Sequence, residues 1–176
     1  MNLLFFVLVL LQHNSFAQCT YIPENYDLSN TFKTSDIPIL IKKSQGCTTL
    51  VELWASWCGP CRMIVPKIDD LVNTYPDIIV HQISADEKEP AMKRFISRHP
   101  LHSPPYRLST WTIADLKYSF SQIGGTFEAA IPYIILLDPD GNIVAELTEP
   151  KDLQVLENYL SKNPPPKKEN ETNQNK

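Results

Sequence analysis

Basic residues are neither numerous nor clustered in this chain: lysine and arginine total 16 against 20 aspartate and glutamate, scattered along 176 residues. A protein that binds nucleic acid needs a basic face to displace counterions from phosphates, so that class of partner is excluded. An apolar stretch of the ~20 residues that a membrane-crossing helix requires is also missing. Internal repeats are absent, which removes solenoid architectures. A second Cys or His pair at ligand spacing is lacking too, and His81, His99 and His102 stand apart in the sequence. No metal site is therefore expected. What is there, 43% hydrophobic and 20% charged residues, is the composition of an ordinary globular chain with one domain.

The amino-terminal residues set the compartment. The unbroken apolar run 3–11 is too short to span a bilayer but suits the core of a signal peptide. Polar residues follow, and Ser15-Phe16-Ala17 places small residues where a signal peptidase reads, so 1–17 is read as a signal peptide although no lysine or arginine precedes the apolar core. A buried strand or helix over 1–11 would lack the polar alternation that gives a solvent face. Export, to a periplasm, cell envelope or medium, would let disulfides persist. Cys19 would then lie close to the mature terminus. It has two open readings: a lipidation site, for which Gln18 is a poor predecessor, or the partner of Cys47 in a structural bridge.

Residues 18–35 read as a polar lead-in that could add an edge strand, and 163–176, with consecutive prolines and almost no apolar side chains, read as a disordered tail. The fold is expected over 36–162. The apolar run 48–55 suits a strand covered on both faces. A helix should follow over 59–75, with Pro60 in the first turn, where a missing N–H is harmless, and Pro66 kinking its interior. Ile64, Ile68, Leu71, Val72 and Tyr75 recur on one face of it. A second strand over 78–84 and a second helix over 88–99 make a βαβ order, implying parallel strands with helices packed on the sheet. Residues 101–110 look loop-like and 111–123 suit a further short helix. Strands over 132–137 and 142–147, joined by Asp138-Pro139-Asp140-Gly141, form a hairpin by their turn chemistry, and 151–160 closes as an amphipathic helix.

The chemistry concentrates at Cys58-Gly59-Pro60-Cys61, where the first strand runs into the first helix. A cysteine at a helix start faces unpaired backbone N–H groups, which favour thiolate over thiol. Thiols in Cys-x-x-Cys pairs titrate from roughly 3.5 to 7, against ~8.5 for a free cysteine. Cys58 is thus expected to be the reactive sulfur. Glu52 interrupts the apolar strand ahead of it, and a carboxyl held there would be pushed up by desolvation toward the range of a proton acceptor. A solvent-facing strand position is the bland alternative for Glu52.

Trp54-Ala55-Ser56-Trp57-Cys58-Gly59-Pro60-Cys61, followed by Pro66, resembles the active-site segment of thioredoxin, and Ala130-Ile131-Pro132-Tyr133 resembles the Ile-Pro step that is cis in that family. The resemblance covers 36–162 and implies an α/β thioredoxin fold: a central mixed sheet flanked by helices. It implies Cys58 as attacking thiolate, Cys61 as resolving thiol, Glu52 as the buried acid beneath them, and Trp57, Gly59, Pro60 and Pro132 as supports. Ile131 and Trp57 would meet the substrate. In thioredoxin a lysine accompanies the acid, where this chain has Gln82. The stretch from Cys61 to Pro132 is longer than in thioredoxin and resembles the insertion of exported relatives of the TlpA and cytochrome-maturation kind. Partner contacts would lie in that insertion, about 100–125, with Tyr106, Trp111, Tyr118 and Phe120 as candidates beside a core role. The implied function is reduction or exchange of protein disulfides by a monomer without a cofactor, fed by a membrane or other thiol-disulfide electron donor. An oxidase or isomerase, and a non-catalytic metal-handling or interaction module, are the alternatives.

Overall fold

The centre of the molecule is strand β2 (Thr49–Trp54), every residue of which is buried. Its alternating side chains feed two different cores, so it needs cover on both faces. The computed structural model describes Cys19 and residues 31–165. The expected signal peptide over 1–17, most of the lead-in and the tail beyond 165 lie outside the described residues.

Six strands form one mixed sheet in the order β1-β4-β3-β2-β5-β6. Strand β3 (Ile79–Ser84) runs parallel to β2, and β5 (Tyr133–Leu137) lies antiparallel on its other side. The short β1 (Thr31–Phe32) and β4 (Tyr106–Leu108) extend the parallel edge, and β6 (Ile143–Leu147) completes the hairpin with β5. One face of the sheet is covered by α2 (Gly59–Thr74) and α5 (Leu153–Lys162), with Ile64, Ile68, Leu156 and Leu160 packed on Leu50, Val80 and Ile134. Helices α1 (Asp36–Lys43), α3 (Glu89–Ile96) and α4 (Ile113–Ser121) cover the other, where Ile37, Phe95 and Phe120 meet Val51, Leu53 and Ile135.

Two elements depart from the sequence expectation. The stretch expected to be a loop, 101–110, contains β4, in which Tyr106 and Leu108 are buried and Arg107 between them is half-exposed. The alternation is real but only three residues long, and Pro104-Pro105 beside it reads as a loop. Helix α1 was not anticipated either; it is eight residues long with Pro38 in its first turn, and it is held by packing of Ile37, Leu40 and Ile41.

The insertion's aromatics divide. Phe120 is fully buried and stacks edge-on against Tyr133 at 4.7 Å, and Tyr106 is buried beside Phe32. Both are core residues, so they are withdrawn as partner contacts. Tyr118 is exposed, whereas Trp111 is half-buried and donates its indole N–H to the Ala85 carbonyl at 3.2 Å.

Candidate active site

Strand β2 ends at Trp54, and the chain turns through Ala55-Ser56-Trp57 to Cys58, the N-cap of α2. Cys58 has extended backbone angles, so the first turn of α2 opens toward its sulfur. The Cys61 N–H donates to Cys58 Sγ at 3.1 Å. This is the N-cap interaction that a serine or aspartate oxygen usually accepts, here given to sulfur. Cys58 and Cys61 are joined as a disulfide with Cα atoms 5.2 Å apart. Cys61 is fully buried and Cys58 keeps 5% of its surface exposed, so the edge of the bridge that solvent can touch belongs to Cys58. A Cβ added to Gly59 would meet nothing within 4 Å, and Pro60 sits in the helix's first turn, which leaves the surface over the sulfurs unobstructed.

The other wall comes from far along the chain. The Ile131 carbonyl oxygen lies 3.5 Å from Cys58 Sγ, and the Ile131–Pro132 peptide bond is cis. Pro132 is buried and Ile131 half-buried. Just upstream, Ala129 adopts φ 65, the left-handed region that costs an L-residue roughly 1–2 kcal/mol. Trp57 and Met63, 63% and 60% exposed, add apolar surface around the dithiol. Met63 was not singled out in the sequence, because an apolar residue one step off the buried face of a helix carries no special signal there.

Beneath the helix, Glu52 is fully buried on β2, opposite Gln82 of β3 in the strand register. It shares a sheet face with Leu50, which Ile64 and Ile68 of α2 cover. The solvent-facing alternative for Glu52 is thereby ruled out. Gln82 Nε2 donates to Glu52 Oε2 at 3.0 Å, and Oε1 has no hydrogen-bond partner. Desolvation raises the carboxyl from 4.5 to about 7, the Gln82 bond opposing and the nearby charge of Asp69 assisting.

Asp86 also escaped the sequence reading. It is buried just beyond β3 and accepts hydrogen bonds from the Ser56 N–H at 2.9 Å, the Ser56 hydroxyl at 2.6 Å and the Ser84 hydroxyl at 2.8 Å. It ties the end of β3 to the loop that delivers Cys58. The only trace in the sequence is an aspartate two residues beyond a strand.

The three described histidines do not converge. His81 is buried against the Ser44 hydroxyl at 2.7 Å, and burial depresses it to about 4; His99 lies against the Phe95 ring; the His102 N–H donates to Asp69.

A second disulfide joins Cys19 to Cys47, with Cα atoms 5.5 Å apart, and packs against Ile79. Of the two sequence readings of Cys19, this geometry is the bridge.

The Thioredoxin family model matches residues 28–100, a span that includes β2, the dithiol and α2. The thiol-disulfide oxidoreductase ResA of Bacillus cereus is 28% identical over 127 residues, covering 70% of this chain and 68% of the relative. Residues 28–100 are thus similar to thioredoxin, and a longer stretch is similar to a thiol-disulfide oxidoreductase. Among solved structures, the thioredoxin domain of a Bacteroides vulgatus thiol-disulfide oxidoreductase superposes with TM-score 0.56 at 25% identity, covering 67% of this chain and 82% of that one. A thiol:disulfide interchange protein from a Bacteroides species gives TM-score 0.52 at 26% identity, covering 65% and 73%. The fold is therefore the thioredoxin fold, here with β4 and α4 inserted between α3 and β5. No described helix is long and apolar enough to cross a membrane.

Proposed function

We propose that the protein is an exported thiol-disulfide oxidoreductase that reduces disulfides in protein substrates, with Cys58 attacking and Cys61 resolving. The observation that carries this reading is the Cys61 N–H directed at Cys58 Sγ from the first turn of α2. In the reduced protein the same donor and the helix dipole stabilise a negative sulfur at Cys58. The Cys58 thiolate attacks one sulfur of a substrate disulfide, whose other sulfur leaves as a thiolate and takes up a proton. Cys61 then loses its proton, displaces the substrate's remaining sulfur from Cys58, and closes the Cys58–Cys61 bond. Two electrons pass from the dithiol to the substrate, whose two sulfurs take up one proton released by Cys61 and one from solvent.

Cys61 is fully buried, so its proton needs a nearby acceptor. Glu52, with a carboxyl at about 7, can hold or release a proton near neutral pH, which suits that role. Trp57 and Ile131 would receive the substrate backbone and side chains at the rim, with Pro132 shaping the wall. Gly59-Pro60 between the cysteines resembles the reducing members of the family and sets the proposed direction. Turnover then requires a thiol-disulfide electron donor, in the membrane or beside it, and no cofactor. The export half rests on residues 1–17, and the acting unit is a monomer.

Trapping tests the assignment of roles. Cys61→Ser should accumulate mixed disulfides through Cys58, identifying the substrates, and Cys58→Ser should accumulate none; the reverse pattern would exchange the two roles. Redox titration tests the direction: a reductase should lie near −270 mV, and a value near −120 mV would make the protein an oxidase.

A further inference from the structure

Beside the dithiol, a surface cleft of about 200 Å³ opens between the start of α2 and the outer face of α3. Its wall includes Ser56, Arg62, Arg94, Phe95, Arg98 and His99. Ser56 lies in the loop leading to Cys58, and Arg62 follows Cys61 directly, so residues adjoining both cysteines line the cleft. Arg94, Phe95, Arg98 and His99 fall at helical spacing along α3 and its last turn, which continues past Ile96 through the Arg98 and His99 N–H bonds to the Phe95 carbonyl.

Three exposed guanidinium groups therefore converge from two helices, and among the described residues none of them forms an ion pair. Two carboxylates nearby in sequence are engaged elsewhere: Glu89 pairs with Lys93, and Asp86 is held by Ser56 and Ser84. Like charges gathered without a counterion cost stability, although Arg94 and Arg98 also complement the C-terminal end of α3. Arg62 has no such local purpose, since it stands in the first turn of α2, where the dipole disfavours a cation.

We infer that this cleft is an anion-recognition subsite for aspartate or glutamate side chains that flank the target cysteine in a substrate polypeptide. The inference rests on the dithiol reading above. Planar guanidinium groups match carboxylates with paired hydrogen bonds. The volume favours one or two side chains, since pockets for drug-sized ligands begin at roughly 300 Å³. The chain as a whole is acidic, with net charge −4, so the cleft supplies a local attraction that the overall charge does not.

The test uses the full chain, reduced beforehand, in single-turnover reactions with three disulfide-bridged peptides that differ only in carrying Glu-Glu, Gln-Gln or Lys-Lys a few residues from the target cysteine. The acidic peptide should react about tenfold faster than the neutral one at low salt, with the gap shrinking to about twofold at high salt, as steering between exposed charges does. Arg94→Gln combined with Arg98→Gln should bring the ratio of acidic to neutral rates near one, and Arg98→Glu should invert the order toward the basic peptide. Equal rates for the three peptides, or a preference for the acidic one that survives both variants, would overturn the subsite. Bis(2-hydroxyethyl) disulfide, small and uncharged, reads the dithiol alone; failure to reduce it would overturn the underlying reading instead.

Discussion

The two disulfides stand at opposite ends of the same strand, Cys47 just before β2 and Cys58 just after it, and their surroundings make them different chemical objects. Cys19–Cys47 joins residues 28 apart in sequence and packs on Ile79. Closing a loop of that length removes about 3–4 kcal/mol of entropy from the unfolded chain. Cys58–Cys61 joins residues three apart and removes only about 2 kcal/mol by the same estimate. It has instead a helix N-terminus behind it, the Ile131 carbonyl in front of it and an ionisable carboxyl in the core below. Whether a disulfide serves as a staple or a reagent depends on what the reduced sulfurs would meet.

The comparison can be broken most forcefully at the reagent. Cys58→Ser should lower insulin-disulfide reduction at least ~1000-fold, because no other group can form the covalent intermediate. Its melting temperature, measured against the reduced parent, should hardly move. At the staple the pattern should reverse. Cys19→Ser with Cys47→Ser should lose about 3–4 kcal/mol in urea denaturation while the rate of insulin reduction below the transition is retained. A fall in that rate with an intact fold would show that the distal bridge takes part in the chemistry.

Glu52 sharpens the contrast, because it sets a pH dependence that only one bridge should feel. Its carboxyl is raised from 4.5 to about 7, so between these values the native state holds a proton that the unfolded state has released. Its contribution to stability is therefore fully present below 4.5 and is lost as pH rises through about 7. Glu52→Gln should accordingly be more stable than the parent at pH 8, by roughly 3 kcal/mol, and no more stable at pH 4. Resolution of the mixed disulfide should slow by about a hundredfold in the same variant, the usual scale for losing a positioned base. His81 has the opposite sign: burial depresses it from 6.5 to about 4, so its contribution is lost as pH falls. The Glu52 effect is for that reason read as the difference between variant and parent at each pH.

The smallest effect concerns the insertion. Thr112 and Asp115 form a reciprocal capping box at the start of α4. Thr112→Ala should cost about 1 kcal/mol in denaturant and leave the potential of Cys58–Cys61 unchanged.

Legibility followed the range of the interactions. The dithiol, the strand before it, the helix after it and the Asp138–Gly141 turn are spelled by neighbouring residues, and the sequence reading placed each within a residue or two. Strand β4 was lost because three residues directly after two prolines give no usable period. Tyr106 and Phe120 were offered as surface contacts because an aromatic's exposure depends on what another element lays over it. Asp86 and the arginine cleft were invisible for the same reason: their partners lie on other elements.

By itself, then, the sequence determined where a reactive dithiol could form, since an N-cap cysteine and the amide facing it belong to one helical turn, and it determined the alternation of strands and helices that demands a covered sheet. The tertiary structure decided what surrounds that dithiol. It set Ile131 against Cys58, sank Glu52 beneath α2 until its carboxyl titrates near 7, brought Cys19 to Cys47, and turned Arg94 and Arg98 toward Arg62. Those neighbours come from strand order and helix packing, which depend on the burial of many side chains at once and leave no local pattern in the chain.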